Sequence, residues 1–137
     1  LRNKDKGQKK ILKEIKKKNL NYVQTLNLSE YRTLLSGKMI LLGNSSSGIH
    51  EAASFKVPVI NIGSRQSGRF KPTNVLNVNY SKKEIAKAIK QVKSQNFYKK
   101  IKNIKNPYGD GKSAIKIIKI IKKLDLRNFD TQKKLTY

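Results

Sequence analysis

The chain of 137 residues contains no cysteine, no tryptophan, one histidine and three prolines. Without cysteine it forms neither a disulfide nor a thiolate metal site, a usage that suits a cytoplasmic protein. Acidic residues are scarce, eight Asp plus Glu against 32 Lys plus Arg, for a formal net charge of +24. The eight are Asp5, Glu14, Glu30, Glu51, Glu84, Asp110, Asp125 and Asp130. They are scattered, and no general acid/base pair can be read from them. No apolar run approaches the length of a membrane span, and the opening LRNKDKGQKK lacks the apolar core of a signal peptide. The length suits one domain with its own core. The chain starts with Leu, and its first residues read like the inside of a domain, which suggests a piece of a longer protein.

A charge of +24 attracts any polyanion. The cations are mostly Lys, however, and between Ile11 and Lys18 and between Ala114 and Lys123 they fill the polar faces of amphipathic helices. No aromatic RNA-recognition motif or helix-turn-helix signature accompanies them, so the expected partners do not include a specific nucleic acid or a membrane.

Periodicity predicts alternating helices and strands. A helix over Gln8–Lys18 ends at Asn19–Asn21 and is followed by a short strand, Tyr22–Thr25. A helix capped by Ser29 runs through Leu35, with Gly37 just past its end. Strands are expected at Met39–Leu42, Val57–Ile62 and Val75–Val78. Ser81 and Glu84 have the spacing of a capping box at the head of a helix through Ile85, Ile89 and Val92. A further helix is expected over Asn96–Ile104, then a turn, NPYGDG at 106–111, in which Asp110 would cap the last helix, Lys112–Leu124. That helix would bury Ala114, Ile117, Ile118, Ile121 and Leu124. The alternation argues for an α/β domain over residues 1–124, a Rossmann-like parallel sheet flanked by helices, with 125–137 as a patternless tail.

The chain is organised around Met39–Arg69. The apolar run Met39–Leu42 breaks into the small-residue loop GNSSSG at 43–48, and the helix expected over Ile49–Phe55 leads to the next strand. In such a strand–loop–helix–strand unit the loop sits at a helix N-terminus, where N–H groups without helical partners and the macrodipole favour an anion. Ser45, Ser46 and Ser47 add hydroxyls. The segment from Gly63 to Asn74 carries Arg65, Gln66, Arg69 and Lys71 and reads as a ligand-facing loop at the carboxyl edge of the sheet. The ligand these features suit is a phosphate or diphosphate. His50, without a paired Asp or a nucleophile, reads as structural or exposed.

Three motifs in order, GNSSSGIHEA from Gly43, PVINIGSRQSGR from Pro58 and NPYGDGK from Asn106, resemble the UDP-N-acetylglucosamine 2-epimerase family, in particular its hydrolysing, sialic-acid-pathway branch. The likeness runs from about Tyr22 to Leu124. It implies the C-terminal, nucleotide-binding half of a two-domain fold of the B-type glycosyltransferase kind. On this resemblance Ser45, Ser46, Ser47 and the backbone near Gly48 cradle the UDP diphosphate. Glu51 accepts hydrogen bonds from the ribose hydroxyls, as an acceptor-only carboxylate suits, and Arg65 and Arg69 lie near the nucleotide. Tyr31 stands against the uracil, or is a core tyrosine. The NPYGDG turn delivers a terminal helix that packs back across the fold.

In that branch UDP is eliminated from the substrate and water adds to the resulting glycal, releasing N-acetylmannosamine or a related sugar. The family's base and leaving-group residues belong to segments N-terminal to Leu1, so the chain is expected to bind UDP and UDP-N-acetylhexosamine without catalysing the reaction alone. No catalytic residue, metal or cofactor is expected within it. Its expected partner is a catalytic N-terminal half, with a homodimer for the complete enzyme. Two other readings stay open: the donor-nucleotide half of a B-type glycosyltransferase, and a basic nucleic-acid-binding domain.

Overall fold

The computed structural model describes residues 8–124; the expected tail at 125–137 lies outside them. The chain divides into two compact units, Leu1–Leu34 and Leu35–Tyr137.

In the first unit, α1 (Gln8–Lys17) ends in a left-handed residue, Asn19, at φ 48°. The N–H of Leu20 donates to the Ile15 carbonyl and that of Asn19 to Lys16, both at 3.1 Å, so the last carbonyls of the helix are satisfied by a Schellman turn. The expected strand Tyr22–Thr25 is absent. This stretch is irregular and exposed, because strand-forming side chains make no strand without a partner ladder. The next helix, α2, spans Leu28–Ser36 and is capped by Asn27 rather than Ser29. The Glu30 N–H donates to Asn27 Oδ1 at 2.9 Å, and the Asn27 N–H donates to Glu30 Oε2 at 2.8 Å. This reciprocal pair satisfies two donors that the helix itself cannot. Gly37 lies just past the helix end, as expected.

The second unit is built on a parallel sheet, β1 (Leu41–Gly43), β2 (Val59–Ile62) and β3 (Val75–Val78), in the order β1-β2-β3. Register places Leu41 opposite Val59 and Val59 opposite Val75. The sheet is the α/β core the alternation predicts, with β1 and β2 starting two residues later than expected. Ile60 and Ile62 of β2 and Leu76 and Val78 of β3 point to one face, where α4 (Lys82–Val92) and α5 (Gln95–Ile101) cover them with Ala88, Val92, Phe97 and Ile101. Each large apolar side chain removed from water there contributes about 1.5–3 kcal/mol.

The opposite face is closed by α3 (Ser47–His50) and an adjoining 3₁₀ turn, Ala52–Phe55, which bury Ile49, Ala52 and Ala53. The single helix expected over Ile49–Phe55 is therefore two short pieces that meet at Glu51, with the left-handed Lys56 (φ 56°) ending the second. Gly48 is buried, and a Cβ there would stand 2.9 Å from Val59 Cγ1 and 3.2 Å from Leu41 Cδ2. Only a residue without a side chain lets α3 come this close to the sheet.

Other boundaries shift for local reasons. Ser81 caps α4 by accepting from the Glu84 N–H at 3.4 Å. The Glu84 carboxylate takes the Asn79 N–H at 2.9 Å instead of that of Ser81, so only half of the expected capping box forms. Ser94 caps α5, which stops at Ile101, short of Ile104. The last helix, α6 (Ser113–Ile121), is shorter than Lys112–Leu124, and Asp110 is not its cap residue. Its expected buried stripe is open: Ile117, Ile118 and Ile121 are 54%, 51% and 53% exposed. A helical period defines an apolar face without supplying what covers it.

Replacing Gly48 by Ala should cost about 1–3 kcal/mol through overpacking against Val59 and Leu41. A lower midpoint in urea denaturation, with an unchanged slope, is the expected result.

Candidate functional site

Two loops meet at the carboxyl edge of the sheet, and hydrogen bonds join them at both ends. The first leaves β1. After Gly43 and Asn44, Ser45 to Ser47 form a tight turn into α3. The N–H groups of Gly48 and Ile49 donate to Ser45 O (3.2 Å) and Ser46 O (2.9 Å), and the Ser47 N–H reaches Ser45 Oγ at 3.3 Å. Ser46 occupies the cap position of α3 without using its hydroxyl as a cap. Ser45 and Ser46 are exposed, whereas Gly48 is buried. The Gly48 N–H is thus spent on the turn, and the glycine's small size serves the contact with β2. Because α3 is one turn long, little macrodipole stands behind the loop. The exposed hydroxyls of Ser45 and Ser46 are then most of what this loop itself offers an anion.

The second loop, Gly63–Phe70, leaves β2 and carries the arginines. Gln66, only 2% exposed, donates from Nε2 to the Asn44 carbonyl at 2.7 Å, fixing this loop to the start of the serine turn. At the other end Arg69 Nη1 lies 2.7 Å from His50 Nε2. A guanidinium has no acceptor, so Nε2 must accept, and the bonded imidazole is neutral with its proton on Nδ1. Arg65 is exposed on the same loop.

The turn after α5 completes the arrangement. Asn106 Nδ2 donates to the His50 carbonyl at 2.7 Å and to Ser54 Oγ at 2.8 Å, while its Oδ1 accepts the Tyr108 N–H at 3.0 Å. The Tyr108 hydroxyl donates to the Phe70 carbonyl at 2.6 Å, and its ring lies against the His50 ring with centroids 4.2 Å apart. The NPYGDG turn therefore ties α3 to the arginine loop, where the sequence pointed mainly to a helix cap. Asp110 acts one step before α6: its Oδ1 accepts from the Lys112 N–H and from Lys116 Nζ, both at 3.1 Å. The Lys112 hydrogen bond, helped by Lys116, holds the Asp110 carboxyl below the ordinary value of 3.8.

Of the residues singled out in the sequence, Ser45, Ser46, Ser47, Gly48, Glu51, Arg65 and Arg69 all belong to these two loops and α3's end. Glu51 is exposed at the junction of α3 and the 3₁₀ turn. Tyr31 is half-buried in α2, in the first unit. Gln66, although it lies in the expected ligand-facing loop, Asn106 and His50 join the constellation without being among the expected site residues. The signal for Gln66 was its place between the two arginines; nothing in the local spacing tells that His50 faces Arg69. A polar cavity of about 410 Å³ opens beside the arginine loop, lined by Asn61, Ser64, Ser67, Lys71, Asn77 and Asn79. Asn61 and Asn77 face each other across β2 and β3 and share a 2.9 Å amide hydrogen bond. Among the described residues no cluster of three or more His, Cys, Asp or Glu could hold a metal, and no helix is long and apolar enough to cross a membrane.

The sequence profile of UDP-N-acetylglucosamine 2-epimerase matches residues 1–122. The chain belongs to that family. It is 32% identical over 115 residues to the polysialic acid biosynthesis protein P7 of Escherichia coli, a match covering 84% of this chain and 29% of that protein. It is 36% identical over 106 residues to the UDP-N,N'-diacetylbacillosamine 2-epimerase (hydrolyzing) of Legionella pneumophila, covering 77% of this chain and 27% of that protein. A third relative, the UDP-N-acetylglucosamine 2-epimerase of Neisseria meningitidis, is 34% identical over 92 residues, covering 65% of this chain and 24% of that protein. The chain thus spans less than a third of these relatives, in their C-terminal part. The parallel sheet flanked by helices fits a Rossmann-like C-terminal domain of the B-type glycosyltransferase fold.

Gln66→Ala would leave the half-buried Asn44 carbonyl without its partner and should cost about 0.5–1.5 kcal/mol in urea denaturation. Because folding lowers the Asp110 pKa, its contribution to stability is present above the unfolded value and is lost as pH falls through the lower folded one. A carboxyl carbon titration of Asp110 should therefore give a midpoint under 3.8 in the native protein and move up in a Lys116→Ala variant.

Proposed function

We propose that this chain is the UDP-binding C-terminal half of a hydrolysing UDP-N-acetylglucosamine 2-epimerase. The observation that carries the reading is the pairing of the serine turn with the arginine loop, joined by Gln66 and Arg69, at the carboxyl edge of a parallel sheet in a chain of this family. The exposed hydroxyls of Ser45 and Ser46, with Ser47, face the diphosphate, and Arg65 and Arg69 balance its charge with paired N–H donors. Glu51, an exposed carboxylate one residue past α3, accepts from the ribose diol.

In this reading the chain's part in the reaction is to recognise the leaving group. As the bond to the anomeric carbon breaks, negative charge grows on the β-phosphate, and donors already in place for it lower the barrier. The proton at C2 of the sugar is taken by groups outside this chain, so the chain alone binds UDP and UDP-N-acetylhexosamines but does not turn them over. The same reading assigns the protein to the cytoplasm, with a catalytic N-terminal half as partner and a homodimer as the complete enzyme.

Calorimetric titration of UDP into the purified chain tests this, beside a Glu51→Ala, Arg65→Ala double variant and a random oligonucleotide. Saturable UDP binding that weakens at least about tenfold in the double variant is expected, from lost charge-assisted hydrogen bonds. A folded chain that ignores UDP yet holds the oligonucleotide in a salt-sensitive way would replace this reading with polyanion binding, which the charge of +24 favours.

A further inference from the structure

The two arginines of the RQSGR loop differ in how they are held. Arg65 is exposed at the tip of the loop, whereas Arg69 is gripped from two sides. Its guanidinium meets His50 Nε2 at 2.7 Å, and the carbonyl of the next residue, Phe70, receives the Tyr108 hydroxyl at 2.6 Å. The two grips are connected: the Tyr108 ring lies on the His50 ring, and Asn106 links the His50 carbonyl to the Tyr108 N–H. Chain and hydrogen bonds therefore form a closed circuit from Arg69 through Phe70, Tyr108, Asn106 and His50 back to Arg69. His50 itself is the last residue of α3, which opens at the serine turn, and its N–H donates to the Ser46 carbonyl at 2.9 Å.

We infer that His50 is a positioning residue that sets Arg69 for a diphosphate, an inference that rests on the UDP-binding reading above. A free arginine side chain samples many rotamers and must give them up on binding phosphate. Here the rotamer is selected before the ligand arrives. His50 occupies Nη1 alone, so Arg69, exposed, keeps the remaining N–H donors of its fork for phosphate oxygens. The neutral imidazole is essential to this role, because a protonated ring has no acceptor to offer the guanidinium and would repel it. His50 needs no contact with the ligand, and its effect belongs to the phosphates and not to the nucleoside.

The immobilisation of one such side chain corresponds to about a two- to tenfold change in affinity. The test is an NMR-monitored titration of the 137-residue chain with UDP and, separately, with uridine. Wild type, His50→Leu, His50→Gln, Arg69→Ala and the His50→Leu, Arg69→Ala pair are compared, each checked for native amide dispersion. The expected pattern is about a two- to tenfold loss of UDP affinity in His50→Leu with uridine affinity unchanged. His50→Gln, whose amide oxygen can accept from Arg69, should recover most of the loss, and His50→Leu should add nothing once Arg69 is already Ala. Equal UDP affinity in wild type and His50→Leu would overturn the positioning role while leaving the UDP site standing. Equal losses for UDP and uridine, or a further loss in the double variant, would also overturn it by showing a general structural role. A wild-type chain that binds no UDP would remove both the site and the inference built on it.

Discussion

A parallel strand paired on both edges has to be covered on both faces, and β2 is that strand here. From Val59 to Asn61 it is buried without interruption. One face is met by α4 and α5, whose apolar side chains keep the helical period. The other is met by α3, and the fit depends on Gly48, since any side chain would collide with Val59 and Leu41. This close approach brings the serine turn against the end of the sheet. The arginine loop leaves the next position on the same edge, so the two loops become neighbours because their strands are.

What joins the loops is hydrogen bonding more than ion pairing. Gln66 is neutral and nearly fully buried, so its bond to Asn44 O carries no net charge for salt to screen, and breaking it leaves a carbonyl unpaired. His50 is neutral for a different reason: its partner is a group that only donates. A carboxylate in its place would hold Arg69 more strongly but would also cancel part of the charge a phosphate is to meet. In a chain with so few acids, a neutral acceptor positions the cation without neutralising it.

The face of α6 poses a separate physical question. Its isoleucines repeat with a helical period and its lysines lie on the opposite side, yet the isoleucines remain about half exposed among the described residues. In contrast, α4 and α5 bury Ala88, Val92, Phe97 and Ile101 in the core beside Ile60 of β2. Lys116 meets Asp110 at 3.1 Å, but both side chains are more than half exposed, and such a surface pair contributes little.

The sequence by itself determined the α/β alternation, the parallel sheet it implies, most helix positions and the small-residue turn, because these arise from local period, capping and glycine. It also carried the family motifs, and with them the loops that hold Ser45, Glu51, Arg65 and Arg69. Only the tertiary structure decided that residues 22–25 form no strand, that the helix after the serines breaks at Glu51, and that α6 keeps its apolar face open. It likewise brought His50 to Arg69 and Asn106 to His50 across separations of 19 and 56 residues. The physical reason is the same in each case. Period and propensity describe what a segment offers its surroundings, whereas a strand, a burial or a long-range hydrogen bond exists only once a partner from elsewhere in the chain stands opposite.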